Sequence, residues 1–210
     1  MVNWDEKYAG TRYAYGTAPN DFLREQVGEL APGPVLVLAD GEGRNGVFLA
    51  ERGFAVTSVD RSPVGVAKAH ALAAARGVTV NAIVADLAEW PFPVAAYNAV
   101  VSIFCHLPPT LRETVHRQAV AALRPGGRLL LEAYGKRQVT FGTGGPSDPA
   151  LLLSTAELAK DFAGLRELHL AEREREVVEG HLHTGRAQVV QFLGEKPPNG
   201  DVSPTAQTLL

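Results

Sequence analysis

A short apolar run, Val35-Leu36-Val37-Leu38, passes directly into a glycine-rich loop, Ala39-Asp40-Gly41-Glu42-Gly43-Arg44-Asn45-Gly46. A strand with no polar alternation is buried on both faces, and such strands belong to parallel sheets covered by helices. Glycines after the strand let the backbone turn sharply and approach a ligand with no Cβ in the way. The helix that must follow, Gly43 to Arg52 with Gly53 at its end, offers unpaired N–H groups at its first turn.

The same alternation continues downstream. The pattern predicts a strand over 54–59 and an Ala-rich helix over 63–76, opened by Pro63 and closed by Gly77. Strands follow over 78–84 and 97–103, then a helix over 109–123, the turn Pro125-Gly126-Gly127 and a fifth strand over 128–134. Strand alternating with helix predicts a Rossmann-like, doubly wound α/β fold with a mostly parallel sheet. Right-handed crossovers leave few other topologies.

The two ends of the chain differ from this middle. Residues 1–31 carry Trp4, Tyr8, Tyr13, Tyr15 and Phe22, broken by Gly16 and Pro19, with a helix expected over 22–30. They read as an N-terminal helical lid. Residues 135–149 form a Gly/Pro-rich loop. Ser154 and Glu157 make a capping box for a helix to Phe162. Runs over 165–178 and 183–193, separated by Gly180, read as an antiparallel hairpin that brings the sheet to seven strands. Glu172-Arg173-Glu174-Arg175-Glu176 alternates in sign, as a solvated edge strand does. Residues 1–194 are expected to form a single domain, and 195–210 a disordered tail.

Composition narrows the function. A chain of 210 residues suits one domain. A net charge of −3 argues against sequence-independent binding to nucleic acid. No apolar run reaches membrane-spanning length, and no signal peptide is visible. Cys105 is the single cysteine, so no internal disulfide forms and a reducing cytoplasm is the natural setting. Beside the expected site it reads as a buried, inert thiol.

The chemistry-bearing residues fall at expected strand ends. Gly41-x-Gly43-x-x-Gly46 satisfies the dinucleotide pattern; alone it also fits a plain glycine-rich turn. Asp60 closes the second strand, 19 residues past Gly41. An acid there can hold both hydroxyls of a ribose, or cap the next helix, where Ser62 is an equally good candidate. Asp86, after the third strand, can accept from an adenine amino group, leave that work to the Leu87 backbone, or be a surface acid. Phe104 and His106 follow the fourth strand beside the topological switch point. Phe104 suits a cofactor wall. His106 suits a base or a substrate contact, and equally a packed or capping histidine. His181-x-His183 has the spacing of a metal pair, but no further ligand pattern accompanies it, and no metal is expected.

As an ordered set, the glycine loop, Asp60, Asp86-Leu87, Phe104–Pro109 and Leu123-Arg124-Pro125-Gly126-Gly127 resemble class I S-adenosylmethionine-dependent methyltransferases. Gly41-Glu42-Gly43-Arg44-Asn45 and Tyr15-Gly16-Thr17-Ala18-Pro19-Asn20 resemble the tellurite-resistance and thiopurine methyltransferase-like group. The resemblance implies S-adenosylmethionine as cofactor. It implies that Asp40, Gly41 and Gly43 line the methionine end, that Arg44 and Asn45 also bind the cofactor, and that Asp60 and Arg61 hold the ribose and the adjoining adenine edge. Asp86 and Leu87 then meet the adenine, Phe104 packs near the sulfonium, and Tyr15, with Trp4 and Tyr8, closes the pocket. Two departures stand out: Ala39 replaces the first glycine of the family loop, and Val37 stands where many relatives have an acid.

Methyl transfer from a sulfonium is an in-line displacement with a neutral leaving group. A thiol, an oxyanion or a reduced chalcogen attacks without a strong base, so orientation alone supplies much of the rate. For an alcohol or amine, His106 or Tyr134 is the candidate catalytic base. The acceptor is expected to be a small molecule shaped by the loop Gly142–Pro146. An NAD-dependent oxidoreductase and a non-catalytic cofactor-binding module remain as alternatives. The oligomeric state is open.

Overall fold

The computed structural model describes residues 3–180 and 182–198. Residues 1–2, His181 and residues 199–210 lie outside them, and with them half of the histidine pair and most of the expected tail. Seven strands form one sheet: β1 (Pro34–Leu38), β2 (Ala55–Asp60), β3 (Asn81–Val84), β4 (Tyr97–Ile103), β5 (Leu123–Tyr134), β6 (Arg166–Glu179) and β7 (His183–Glu195). Their order is β3-β2-β1-β4-β5-β7-β6. β1 to β5 are mutually parallel, and β7 is antiparallel to both β5 and β6. The hairpin is therefore folded back, with β7 filling the place next to β5 and β6 left at the edge. Strand order reverses between β1 and β4, which puts a crevice outside their carboxyl ends.

Strand alternation divides the core into two layers. Leu36, Leu38, Val100, Leu129 and Leu131 pack with Val115 and Ala119 of α5 (Pro109–Ala122) and Leu158 of α6 (Thr155–Asp161). Val35, Val37, Ala99, Val101 and Leu130 face the other way. They meet α2 (Asp21–Gln26), α3 (Arg44–Glu51) and α4 (Pro63–Ala75). A helix α1 (Trp4–Tyr8) lies against α4. Among the described residues no helix is long and apolar enough to cross a membrane.

Most boundaries fall within two residues of expectation. The largest exception is β5, which begins at Leu123 rather than residue 128 and takes in the expected Pro125-Gly126-Gly127 turn, because Leu123 already pairs with Tyr97 ahead of a register shift. Residues 78–80 stay out of β3 because the Val78 amide is held by the Ala73 carbonyl at 3.0 Å, closing α4. Asn20 caps α2 through the Leu23 amide, and the helix tightens to a 3-10 turn over Val27–Glu29. Ser62, not Asp60, caps α4. Both halves of the Ser154/Glu157 capping box are made. Within β6, Glu172, Arg173, Glu174 and Glu176 are exposed as expected. Arg175 is not: its side chain is only 16% exposed and turns inward to two buried carboxylates, Glu132 and Glu179.

Candidate active site

Asp60, the last residue of β2, is buried. Its Oδ2 accepts the Gly41 amide at 2.8 Å and its Oδ1 the Ser62 amide at 2.8 Å. One carboxylate thus latches the loop after β1 to the start of α4. Burial raises its pKa, against the pull of these two amides. Gly41 has φ +57°, and a Cβ there would lie 2.6 Å from the Tyr8 hydroxyl, so the missing side chain is what lets α1 lie over the loop. Gly43 serves packing instead, since a Cβ would strike Ala69 of α4. Ala39, where a glycine is usual, takes φ +49°.

Asp40 is buried under the same loop, with both carboxylate oxygens 3.2 Å from the Gly46 amide. Burial pushes its pKa up to about 7. Asp86 is exposed at the end of β3, and its carboxylate accepts the Ala88 amide at 2.9 Å. Leu87 beside it is buried. Arg61 is exposed next to Asp60, its charge opposing the rise in the Asp60 pKa.

The N-terminal segment is fastened over this loop. Ser62 Oγ donates to Asp5 of α1. Glu42 accepts the Ala14 amide at 2.7 Å and pairs with Lys68 at 2.7 Å, and Lys68 also donates to the Arg12 carbonyl. Asn45 accepts the Asn20 amide at 2.9 Å, and Asn20 donates to both Glu132 and Glu179. Arg44 pairs with Glu179, and Arg175 with Glu132 and Glu179. Arg44 and Asn45 therefore hold the lid segment and the hairpin, a role that their place in the glycine motif did not reveal. Sequence reasoning missed Glu132, Arg175 and Glu179. The available signal was Glu132 itself, a lone acid within Leu129-Leu130-Leu131-Glu132-Ala133, because a charge inside an apolar strand demands a partner.

Across the carboxyl end of β4 lies a cluster of rings. Phe104 turns off the strand at φ +51°, a conformation that costs a bulky residue about 1 kcal/mol or more. Its ring centroid is 4.6 Å from Tyr134 and 5.1 Å from His183. His106 stacks on Tyr134 at 5.6 Å and 12°, and Tyr15 lies 4.4 Å from His183. Trp4 and Tyr8 of α1 extend the cluster through Tyr15. His106 Nδ1 sits 3.1 Å from the Leu151 carbonyl. Burial lowers the pKa of His106 to about 4 and that of His183 to about 3. Cys105 is half-buried, and its thiol is pushed up to about 12 by desolvation, as an inert thiol requires.

The expected residues are thus brought together in two groups. Asp40, Gly41 and Asp60 meet at the loop. Tyr15, Phe104, His106 and Tyr134 meet in the ring cluster, joined by His183. The Gly142–Pro146 loop covers that cluster. A Cβ on Gly145 (φ +88°) would lie 2.8 Å from the Tyr134 ring, and Gln138 holds the loop to β7 through Gly144 and Gln188. No group of three or more His, Cys, Asp or Glu residues suited to a metal ion occurs among the described residues.

Comparison with known proteins places this geometry. Residues 35–127, which run from β1 past the Arg-Pro-Gly-Gly turn, match a family model described as a methyltransferase domain. The chain is 30% identical over 125 residues to 2-heptyl-1-hydroxyquinolin-4(1H)-one methyltransferase of Mycobacteroides abscessus, covering 57% of this chain and 55% of that one. It is 36% identical over 105 residues to demethylmenaquinone methyltransferase of Thermus thermophilus, covering 49% and 48%. The chain therefore spans about half the length of the curated relatives it matches. Solved structures share the fold. A SAM-dependent methyltransferase from Methanosarcina mazei has a TM-score of 0.66 at 17% identity, covering 82% of this chain and 97% of that one. TehB from Haemophilus influenzae has a TM-score of 0.69 at 19% identity, covering 92% and 65%. Residues 35–127 thus match a methyltransferase domain model, and the fold is shared with a solved S-adenosylmethionine-dependent methyltransferase.

Proposed function

We propose that this chain, working as one unit over residues 1–194, transfers the methyl group of S-adenosylmethionine to a small-molecule acceptor. The observation that carries the reading is Asp60, a buried carboxylate at the end of β2 tied to the glycine loop through the Gly41 amide. A carboxylate has about four acceptor positions, and the Gly41 and Ser62 amides use two of them. One remains on each oxygen for the two vicinal hydroxyls of a ribose, so the residues present fit the cofactor.

When bound, the cofactor supplies an electrophilic methyl carbon on a sulfonium, which leaves as a neutral thioether. The chain's own groups bind, orient and shelter it. Asp60 and Arg61 would hold the ribose and adjoining adenine edge, Asp86 and Leu87 the adenine, and Asp40, Gly41 and Gly43 the methionine end. Arg44 and Asn45 contribute by fastening the lid. Trp4, Tyr8 and Tyr15 close over the loop and exclude water. Phe104, in the ring cluster at the end of β4, would wall the sulfonium side. A thiol or chalcogen oxyanion needs only this positioning. A hydroxyl or amine needs a base, and His106 stands neutral with Nε2 available to take a proton at physiological pH. Tyr134 stays protonated, because burial raises its pKa, and suits a hydrogen-bonding role better than a base.

Both curated relatives are named for methylating small molecules, which supports a small acceptor here. A net charge of −3 supports one other than nucleic acid, and the single cysteine fits a cytoplasmic setting. TehB's shared fold is the support for a place in the tellurite-resistance and thiopurine methyltransferase-like group. Titration calorimetry with S-adenosylhomocysteine and with NAD tests the reading. The expected result is binding of the first and not the second; NAD binding alone would return the chain to the oxidoreductases. Cofactor binding without turnover of any thiol, chalcogen, hydroxyl or amine acceptor would favour a non-catalytic module.

A further inference from the structure

Among the described residues, three buried polar atoms in the ring cluster have no hydrogen-bond partner: His106 Nε2, Tyr134 Oη and His183 Nδ1. A buried polar group left unpaired costs about 1–3 kcal/mol, and native proteins keep few of them. Three on neighbouring rings, with His106 and His183 at 5.6 and 5.3 Å from Tyr134, call for one ligand that satisfies them together.

Their chemistry is specific. The Leu151 carbonyl only accepts, so His106 Nδ1 carries the ring proton and Nε2 presents a lone pair. Tyr134 can donate or accept, and so can His183 Nδ1 according to tautomer. None of the three is charged at neutral pH. The rings that carry them pack on one another: Phe104 lies within 32° of both His106 and Tyr134, while His183 stands edge-on to Phe104 and Tyr134. Ring faces and edges left over by this packing complement a planar, uncharged ring, since aromatic faces gain most from stacked or edge-on rings.

Resting on the reading above, we propose that the methyl acceptor is a planar ring carrying a hydroxyl group and a second polar substituent, held by His106, Tyr134 and His183. The hydroxyl donates to His106 Nε2, and His183 Nδ1, with Tyr134 Oη, holds the second substituent. In the transfer the hydroxyl oxygen forms the bond to the methyl carbon as the carbon–sulfur bond breaks. The sulfur keeps that electron pair, and the hydroxyl proton passes to His106 Nε2 and then to water. His183 touches the acceptor and not the donor, a division that activity measurements alone would not reveal.

Binding of 2,3-dihydroxynaphthalene, naphthalene and 2-naphthalenethiol to the full chain saturated with S-adenosylhomocysteine tests this. The dihydroxy ring is expected to bind at least about 10-fold more tightly than naphthalene, the lower range expected for one satisfied buried group. In His183→Phe the preference is expected to fall to about 3-fold or less, and in His183→Asn, which keeps a polar atom near the Nδ1 position, to return. Affinity for S-adenosylhomocysteine should stay within about 2-fold in both. Equal binding of the dihydroxy ring and naphthalene, a preference for the thiol, or a preference unchanged in His183→Phe overturns the proposal. If His183→Phe does not fold, the three-ligand comparison on the parent and on His183→Asn still decides. Failure of S-adenosylhomocysteine to bind the parent overturns the underlying reading itself.

Discussion

The Gly41 amide donates to Asp60 Oδ2 over 2.8 Å, so the loop after β1 and the end of β2 share one carboxylate. Asp60→Ala removes the latch and the proposed ribose contact together. Hydrogen bonds to a charged group contribute about 1.5–3 kcal/mol each. The variant is expected to bind S-adenosylhomocysteine at least about 10-fold more weakly by calorimetry, with Asp60→Asn falling between it and the parent. Unchanged affinity in Asp60→Ala would sink the cofactor assignment.

His106 acts on the acceptor side. With a hydroxylated acceptor, His106→Phe is expected to lower kcat by about 10²-fold or more, the usual worth of a positioned base, and to leave cofactor affinity nearly unchanged. Because the group is already neutral at pH 6, the parent's kcat should not fall on the acid side until the pH approaches 5. A kcat that drops with an apparent value near 6.5 would mean that this histidine titrates normally.

Asp40 and the two site histidines oppose each other in pH-dependent stability. The Asp40 value is raised from 3.8 to about 7, so the folded state holds a proton that the unfolded chain has released. The stability it contributes is complete below 3.8 and is lost as the pH rises through 7. His106 and His183 are depressed from 6.5 to about 4 and about 3. Their contribution is complete above 6.5 and is lost as the pH falls through those values. In urea unfolding, Asp40→Asn should therefore lose less stability than the parent between pH 5 and 8. A parallel pair of pH curves would show that Asp40 titrates normally.

Arg175 neutralises Glu132, which is fully buried, and Glu179. Removing one partner of a buried ion pair strands the other charge, at a cost of about 3–5 kcal/mol. Arg175→Met should fall in this range by chemical denaturation, whereas Arg173→Met, on an exposed neighbour of the same strand, should change stability by about 0.5 kcal/mol or less.

Gly145 approaches the Tyr134 ring at a positive φ. Gly145→Ala strains the backbone and pushes on the ring, so it should destabilise by about 1–3 kcal/mol and weaken acceptor binding. Affinity for S-adenosylhomocysteine should stay unchanged, because this loop touches the ring cluster and not Asp60. Equal losses for both ligands would place the loop elsewhere in the site.

Much of this was legible in the residues because it is local. The strand–loop–helix passage at Val35–Gly46, the Ser154/Glu157 box and the glycine-ended helices follow from neighbours a few positions apart. The strand ends carrying Asp60 and Phe104 follow from alternation alone. What escaped depends on residues far apart in the chain. Arg175 sits in a run of alternating charge, where nothing nearby distinguishes an inward side chain from a solvated one; its partner Glu132 is 43 residues earlier. His183 invited comparison with His181, two positions away, while its actual neighbours are Tyr15, Phe104 and Tyr134. Arg44 and Asn45 carry the motif's spacing but spend their side chains on the lid, a distinction visible only once Glu179 and Asn20 are in place.

The fastening of Asn20 has a consequence for biosynthesis. Its side chain is gripped by Glu132 and Glu179, which are 112 and 159 positions further along. This segment, made well before both of its partners, is therefore among the last to find its place. Until the terminal hairpin emerges and inserts β7 beside β5, Trp4, Tyr8 and Phe22 have no finished surface to cover. A nascent chain in that interval exposes sticky rings ahead of an incomplete sheet, the condition in which chaperone capture competes with folding.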